Sequence, residues 1–290
     1  MSLDPFFSNK KNIRYFIGDV RDYQRLKVAL REVDFVVHAA ALKQVPAAEY
    51  NPEECIKTNI YGAENIVNAS IECGVGKTIA LSTDKAVNPI NLYGASKLAS
   101  DKLFQAARNL SGNQKSSFSV VRYGNVVGSR GSVLPFFSKM IKEKAKYLPI
   151  THEGMTRFWI TLDQGVNFVI NSFKMMKGGE IFVPKMPSIN IVDLAKSLSS
   201  KVKLKKIGIR PGEKLHEILI PSDLSTQTFE HKNIYIILPS FSIDNASPIY
   251  TYYKKIAKLV NYGFEYNSKN NSHYLNVNEI KKLNKRYINI

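Results

Sequence analysis

The sequence predicts an α/β fold built on a parallel sheet, and three observations carry that expectation. Short runs rich in Val, Ile and Phe alternate with stretches of helical periodicity from residue 13 to about residue 122. The helical stretches carry their own stop and start signals. Polar clusters follow directly on apolar runs, as in Ser82-Thr83-Asp84-Lys85, and the ends of strands are where such sheets hold ligands.

Taken in order, Ile13-Arg14-Tyr15-Phe16-Ile17 reads as a strand ending at Gly18-Asp19-Val20. A short amphipathic helix is predicted over 23–31, then a strand over 34–38. The next helix opens with Asn51 as cap, Pro52 at its first position and Glu53 in its first turn. Its apolar stripe is Ile56, Ile60, Ala63, Ile66, Val67 and Ala69, and Gly74 ends it. A buried strand over 78–82 follows, then a helix from Asn91 to about residue 110, then a strand over 118–122. After Asn125 the texture changes: Gly128, Gly131 and Pro135 break the run, and one strand–helix–strand over about 158–183 returns to the sheet. This divides the chain into a sheet domain over 1–126, which also takes about 156–183, and a mainly substrate-binding part over 127–290. The tail beyond Pro221, rich in Asn, Tyr and Lys, gives no clear periodicity, and no internal repeat is present.

Tyr93 and Lys97 lie four residues apart, stacked on one helix face. An ammonium beside a phenol favours the phenolate, which makes a base able to take a hydroxyl proton while a hydride leaves the same carbon. Asp84 and Lys85 add a second acid and base that simple hydride transfer does not need.

Composition narrows the class. With 44% hydrophobic and 22% charged residues, the chain has an ordinary globular composition. Its two cysteines, Cys55 and Cys73, match no metal spacing and fit a reducing cytosol, so a cytoplasmic protein without a membrane span is expected. The net charge of +17 raises nucleic acid as a partner, but the lysines are dispersed and no nucleic-acid fold signature accompanies them. Such a field favours an anionic small-molecule substrate instead. His152-Glu153 and Lys214-Leu215-His216-Glu217 form no metal constellation and read as structural or solvated.

No G-x-G-x-x-G occurs among the 16 glycines; Gly74-Val75-Gly76 ends a helix where the motif should open one. A dinucleotide-binding sheet starts with a strand, a glycine turn and a helix whose N-terminus holds the pyrophosphate. The chain begins at what reads as the third strand of such a sheet. The expectation is therefore a Rossmann-like, doubly wound parallel sheet lacking its N-terminal βαβ glycine-turn segment, with a smaller C-terminal substrate-binding domain.

Six motifs occur in order: Gly18-Asp19-Val20-Arg21-Asp22, the run from His38 to Pro46, Ser82-Thr83-Asp84-Lys85-Ala86, Tyr93 with Lys97, Arg122-Tyr123-Gly124-Asn125-Val126, and Arg210-Pro211-Gly212-Glu213-Lys214. On these the chain resembles the extended short-chain dehydrogenase/reductases, and among them the inverting UDP-N-acetylglucosamine 4,6-dehydratases that open pseudaminic acid-type glycan synthesis. The resemblance runs from about residue 13 to 221.

That resemblance implies an NADP or NAD cofactor kept through the cycle, a UDP-sugar substrate and a homo-oligomer, dimeric or hexameric. C4 is oxidised, water leaves across C5 and C6, and the hydride returns to C6 with inversion at C5. By the same resemblance Tyr93 is the C4 base, helped by Lys97, which also holds the cofactor ribose. Thr83 bonds the C4 oxygen, Asp84 protonates the leaving C6 hydroxyl and Lys85 removes the C5 proton. Asp19, Val20, Ala39, Ala40, Lys43 and Asn59 are the further cofactor-side positions. Asn125, Thr156, Arg157, Arg210 and Glu213 are the substrate-side positions, the arginines suiting a diphosphate. Two alternatives stay open. A UDP-sugar 4-epimerase or reductase of the same superfamily would use Thr83, Tyr93 and Lys97 and leave the Asp84–Lys85 pair without a role. An inactive remnant is the alternative raised by the absent glycine turn.

Overall fold

The computed structural model describes residues 12–112, 115–242 and 247–287. Helix α1 (Tyr23–Ala29) starts at Asp22, whose carboxylate accepts the Arg25 amide at 2.9 Å. Strand β1 (Phe35–His38) follows. The single helix expected between Asn51 and Gly74 is preceded by α2 (Val45–Tyr50) and is itself divided into α3 (Pro52–Ile56), a π-helical turn (Lys57–Tyr61) and α4 (Gly62–Glu72). Then come β2 (Lys77–Thr83), a 3-10 turn (Asp84–Ala86), α5 (Leu92–Leu110) and β3 (Ser117–Tyr123). Asn91 caps α5 through a 2.8 Å bond to the Gly94 amide.

One expectation fails at the start. The predicted strand at residues 13–17 is not a strand; the segment has no regular structure, and Ile17 is 86% exposed. A strand exists by pairing its backbone. Here the Ile17 carbonyl is taken by Arg25 Nε at 2.6 Å, and among the described residues no strand pairs with the outer side of β1.

Beyond β3 lie β4 (Asn125–Val126), α6 (Val133–Lys142), β5 (Tyr147–Ile150), β6 (Thr156–Ile160), α7 (Leu162–Met175) and β7 (Ile181–Pro184). They are followed by β8 (Ser188–Asn190), α8 (Ile191–Leu198), β9 (Lys203–Lys206) and β10 (Ile218–Ile220). The tail resolves into β11 (Thr228–His231), β12 (Ile234–Ile237), α9 (Pro248–Ile256), β13 (Lys258–Leu259), β14 (Tyr266–Asn267) and α10 (Val277–Asn284). Among the described residues the main sheet has the order β1-β2-β3-β7-β12-β11-β13. Its first four strands are parallel, and the last three attach antiparallel.

The expected return over 158–183 is met by β7 but not by β6. That strand pairs with β4 and β8 in a separate three-stranded sheet. Gly124, where the chain leaves β3, permits it: a Cβ there would lie 2.5 Å from that of Phe158.

The side chains of β2 and β3 alternate between two cores. Ala80 and Val120 pack with Val67 of α4 and Phe104 of α5, while Ile79 and Val121 pack with Val169 of α7. Helices thus cover both faces, which makes the sheet Rossmann-like and doubly wound. A further core gathers Leu134, Phe137, Trp159, Leu194 and Ile280, with Trp159 Nε1 donating to Asn284 Oδ1 at 3.1 Å. No helix among the described residues is long and apolar enough to cross a membrane.

Candidate active site

The site forms where β2 ends, the 3-10 turn follows and α5 begins. Gly94 sets the spacing: a Cβ there would fall well under 3.0 Å from the Lys85 carbonyl oxygen, so only glycine lets the first turn of α5 press against the 84–86 turn. The Thr83 hydroxyl donates to Asp84 Oδ1 at 3.0 Å, and Lys85 Nζ donates to the same oxygen at 2.9 Å. Asp84 is fully buried, whereas the Lys85 side chain keeps 29% of its surface open. Tyr93 lies within electrostatic reach of this pair and of Thr83. Burial pushes its phenol above the ordinary value, opposed first by the Lys85 charge and then by Thr83.

Lys97 is buried one turn further along α5, and burial holds its pKa below the ordinary lysine value against the pull of Asp101. Asp101 continues the same helix face. Its Oδ2 accepts from Ser82 Oγ at 2.7 Å and from Arg122 Nη2 at 3.0 Å, and Arg122 Nη1 donates to the Leu219 carbonyl at 3.1 Å. Sequence reasoning missed this buried triad, although the i, i+4, i+8 series from Tyr93 through Lys97 to Asp101 was a usable signal.

On the cofactor side, Ala39, Ala40 and Lys43 lie exposed beyond the end of β1, with Lys43 Nζ 3.3 Å from the Arg130 carbonyl. Asn59 sits buried in the π-helical turn. It donates to Ser96 Oγ at 2.9 Å and to the Leu42 carbonyl at 2.9 Å, and accepts the Leu42 amide at 2.8 Å. It thereby ties the segment after β1 to α5 beside Lys97. Asp19 is engaged by Arg21, at 2.9 Å from the amide and 3.0 Å from Nε. Val20 packs against Gly62 of α4, so both lie toward α1 and α4 and away from the Asp84–Lys85 pair. His38, also buried, stacks on Phe104 and leaves Nε2 without a partner; burial, then the Lys97 charge, pushes its pKa down to about 3.

On the substrate side, Asn125 Oδ1 is buried and unpartnered, as is Asp84 Oδ2. Thr156 Oγ1 is engaged by His216 Nδ1 at 2.8 Å and Ser268 Oγ at 2.7 Å. Arg157 is buried, with Nη1 donating to the Thr156 and Leu215 carbonyls, Nη2 3.5 Å from Glu213 and Nε 3.7 Å from Glu217. Arg210 is 70% exposed and pairs with Glu213 at 3.4 Å, which leaves its guanidinium open to solvent. Glu217, which the sequence suggested was structural or solvated, is 2% exposed and lies 3.6 Å from Lys85 Nζ. Lys214 Nζ donates to the Val87 carbonyl. The structure thus joins Thr83, Asp84, Lys85, Tyr93, Arg157, Glu213 and Glu217 in one charged cluster. Among the described residues no group of side chains is arranged to hold a metal.

Such a cluster can move protons to and from several positions of one bound molecule. The pattern of the family described as polysaccharide biosynthesis protein matches residues 4–239. A Campylobacter jejuni protein named UDP-N-acetylglucosamine 4,6-dehydratase (inverting) is 58% identical over 278 residues, spanning 95% of this chain and 83% of that one. A Rickettsia bellii protein named UDP-glucose 4-epimerase is 43% identical over 280 residues, spanning 95% and 80%. The X-ray structure of Pen from Bacillus thuringiensis is 37% identical and superposes with a TM-score of 0.84 over 96% of this chain and 84% of that one. By the extent of the pattern and the level of identity, the chain belongs to the polysaccharide biosynthesis protein family.

Proposed function

We propose that the protein is a UDP-N-acetylglucosamine 4,6-dehydratase that inverts C5. The observation that carries this reading is the Asp84–Lys85 pair, bonded at 2.9 Å and set beside Tyr93. A nicotinamide dinucleotide, NADP or NAD, supplies the chemistry of taking a hydride from C4 and returning it at C6. Tyr93, Lys97 and the crevice at the carboxyl ends of β1 and β2, where His38 Nε2 has no partner, fit its nicotinamide–ribose half. No residue of this chain is assigned to the pyrophosphate, because no glycine turn of the required kind occurs in it.

The chain's own residues divide the proton work. In its phenolate form, which the Lys85 charge favours against burial, Tyr93 takes the C4 hydroxyl proton while Thr83 holds the same oxygen. As the ion pair seen at 2.9 Å, Lys85 and Asp84 are in the wrong form for elimination. Transfer of one proton along their shared hydrogen bond gives a neutral amine and a carboxylic acid together. Asp84 then protonates the departing C6 hydroxyl, Lys85 takes the C5 proton, and the pair is back in its charged form. Arg210 and Asn125 face the diphosphate and sugar. Arg157 acts from behind them, since its donors are already engaged. The family resemblance also supports a cytoplasmic homo-oligomer at the entry of a pseudaminic acid-type route.

The 43% identity to a protein named as a 4-epimerase favours a second reading, in which the sugar is re-reduced at C4. NMR of the product from UDP-N-acetylglucosamine separates the two. A C6 methyl with a C4 ketone is expected; a C4 epimer that keeps its C6 hydroxyl would reject the dehydratase reading.

A further inference from the structure

Glu217 has no part in the chemistry above, yet its placement is specific. Its backbone is pinned to Ser268, the amide donating to Ser268 Oγ at 2.9 Å and the carbonyl accepting the Ser268 amide at 2.8 Å. The carboxylate is therefore delivered by the segment that leads into the β10–β14 pair. Oε1 lies 3.6 Å from Lys85 Nζ and 3.7 Å from Arg157 Nε, while Oε2 is buried without any partner. A carboxylate kept only to balance Arg157 would be redundant, because Glu213 already lies 3.5 Å from that guanidinium. Leaving a carboxylate oxygen buried and unbonded is costly unless the charge itself is useful.

Lys85 is the cation that Glu217 shares with Asp84. The groups facing Lys85 are Asp84 from its own turn, Tyr93 from α5, Arg157 from β6, and Lys214 and Glu217 from the segment before β10. Of these, Asp84 and Glu217 favour the ammonium. Asp84 is also the proton acceptor, so it cannot act as a fixed counter-charge. We propose that Glu217 is a positioning residue that fixes Lys85 Nζ against Asp84 and sets the pH at which Lys85 gives up its proton. The inference rests on Lys85 being the C5 base. It adds that the threshold of this base is set from the segment before β10, by a residue far from Lys85 in the chain. The direction for Lys85 agrees: burial pushes its ammonium down, but the Asp84 and Glu217 charges outweigh it and hold its pKa above the ordinary value.

The test is competitive acetylation of Lys85, read by mass spectrometry against exposed Lys282 as an internal reference, in the 290-residue chain. Only the neutral amine reacts, so each unit of pKa lost raises the rate at fixed pH about tenfold. Glu217→Gln is expected to raise Lys85 labelling by about tenfold or more, while Glu217→Asp, which keeps the charge, stays near the wild-type rate. No increase in Glu217→Gln, or an equal increase in both variants, would overturn the proposal; the second result would mark a merely structural role. Should Glu217→Gln not fold, the wild type decides: a labelling midpoint for Lys85 at or below that of Lys282 rejects it. C5 deuterium exchange in Lys85→Ala keeps the two readings apart. Exchange that survives removes Lys85 as base, whereas exchange that is lost while Glu217→Gln labels normally removes only the role of Glu217.

Discussion

The centre of the main sheet and its β1 edge are built on different terms. At the centre, Ser82 and Arg122 both donate to buried Asp101 Oδ2, while Asp101 Oδ1 and Arg122 Nε keep no partner, and Gly94 locks α5 against the turn that carries Asp84 and Lys85. At the edge, β1 pairs on one side only among the described residues, and Phe35 and Val37 stay 60% and 47% exposed. His38 is the exception, drawn inward to stack on Phe104. The contrast shows that the acid–base half of the site combines residues close in sequence, from Thr83 to Asp101, with Arg122, Arg157 and Glu217 from further along the chain. The cofactor-side residues Ala39, Ala40 and Lys43 follow a strand with one neighbour among the described residues.

Substitutions at three positions sharpen that comparison. The largest effect is expected at the centre: Asp101→Ala leaves the Arg122 guanidinium buried without its carboxylate, and a denaturant titration should show a loss of about 3–5 kcal/mol. Asp101→Asn, which keeps a partner for Ser82, should lose less. Gly94→Ala comes next, at about 1–3 kcal/mol, because the new methyl meets backbone that cannot retreat. It should also lower turnover by moving Tyr93 away from Lys85. A stability loss without a change in turnover would separate that packing from catalysis.

At neutral pH the smallest effect belongs to the edge, and it grows only as pH falls. His38 titrates near 6.5 when unfolded and at about 3 when folded, so the unfolded chain binds the proton first on acidification. Its contribution is complete above the unfolded value and is lost as pH falls from there toward the folded one. The slope should reach about 1.4 kcal/mol per pH unit within that window. Urea titrations across this range should show a shallower slope in His38→Gln; an unchanged slope would mean that His38 is not buried neutral.

Much of this was legible in the sequence. The strands over 34–38, 78–82 and 118–122, the Asn91 cap and the cluster of Thr83, Asp84, Lys85 and Tyr93 follow from local pattern, and the structure has them where expected. What was hidden depends on partners far along the chain. The segment 13–17 has strand composition but pairs with no strand among the described residues. The β11–β12 hairpin turns at Lys232 with φ +49, a left-handed residue with none of the Asn-Gly signal that marks such turns. Glu217 reads as an ordinary surface acid until β10 and β14 bring it against Lys85. The Asp101–Arg122 pair was hidden because the two residues lie 21 apart, on α5 and β3.

The central claim is that Asp84 and Lys85 eliminate water from a sugar that Tyr93 has helped to oxidise. Its most direct test follows UDP-N-acetylglucosamine in deuterated water with wild type and Lys85→Ala, recording cofactor reduction and C5 deuterium side by side. The account expects wild type to place solvent deuterium at C5 and to form a C6 methyl, and Lys85→Ala to oxidise C4 while leaving C5 and C6 untouched. C5 exchange at the wild-type rate in Lys85→Ala would contradict it.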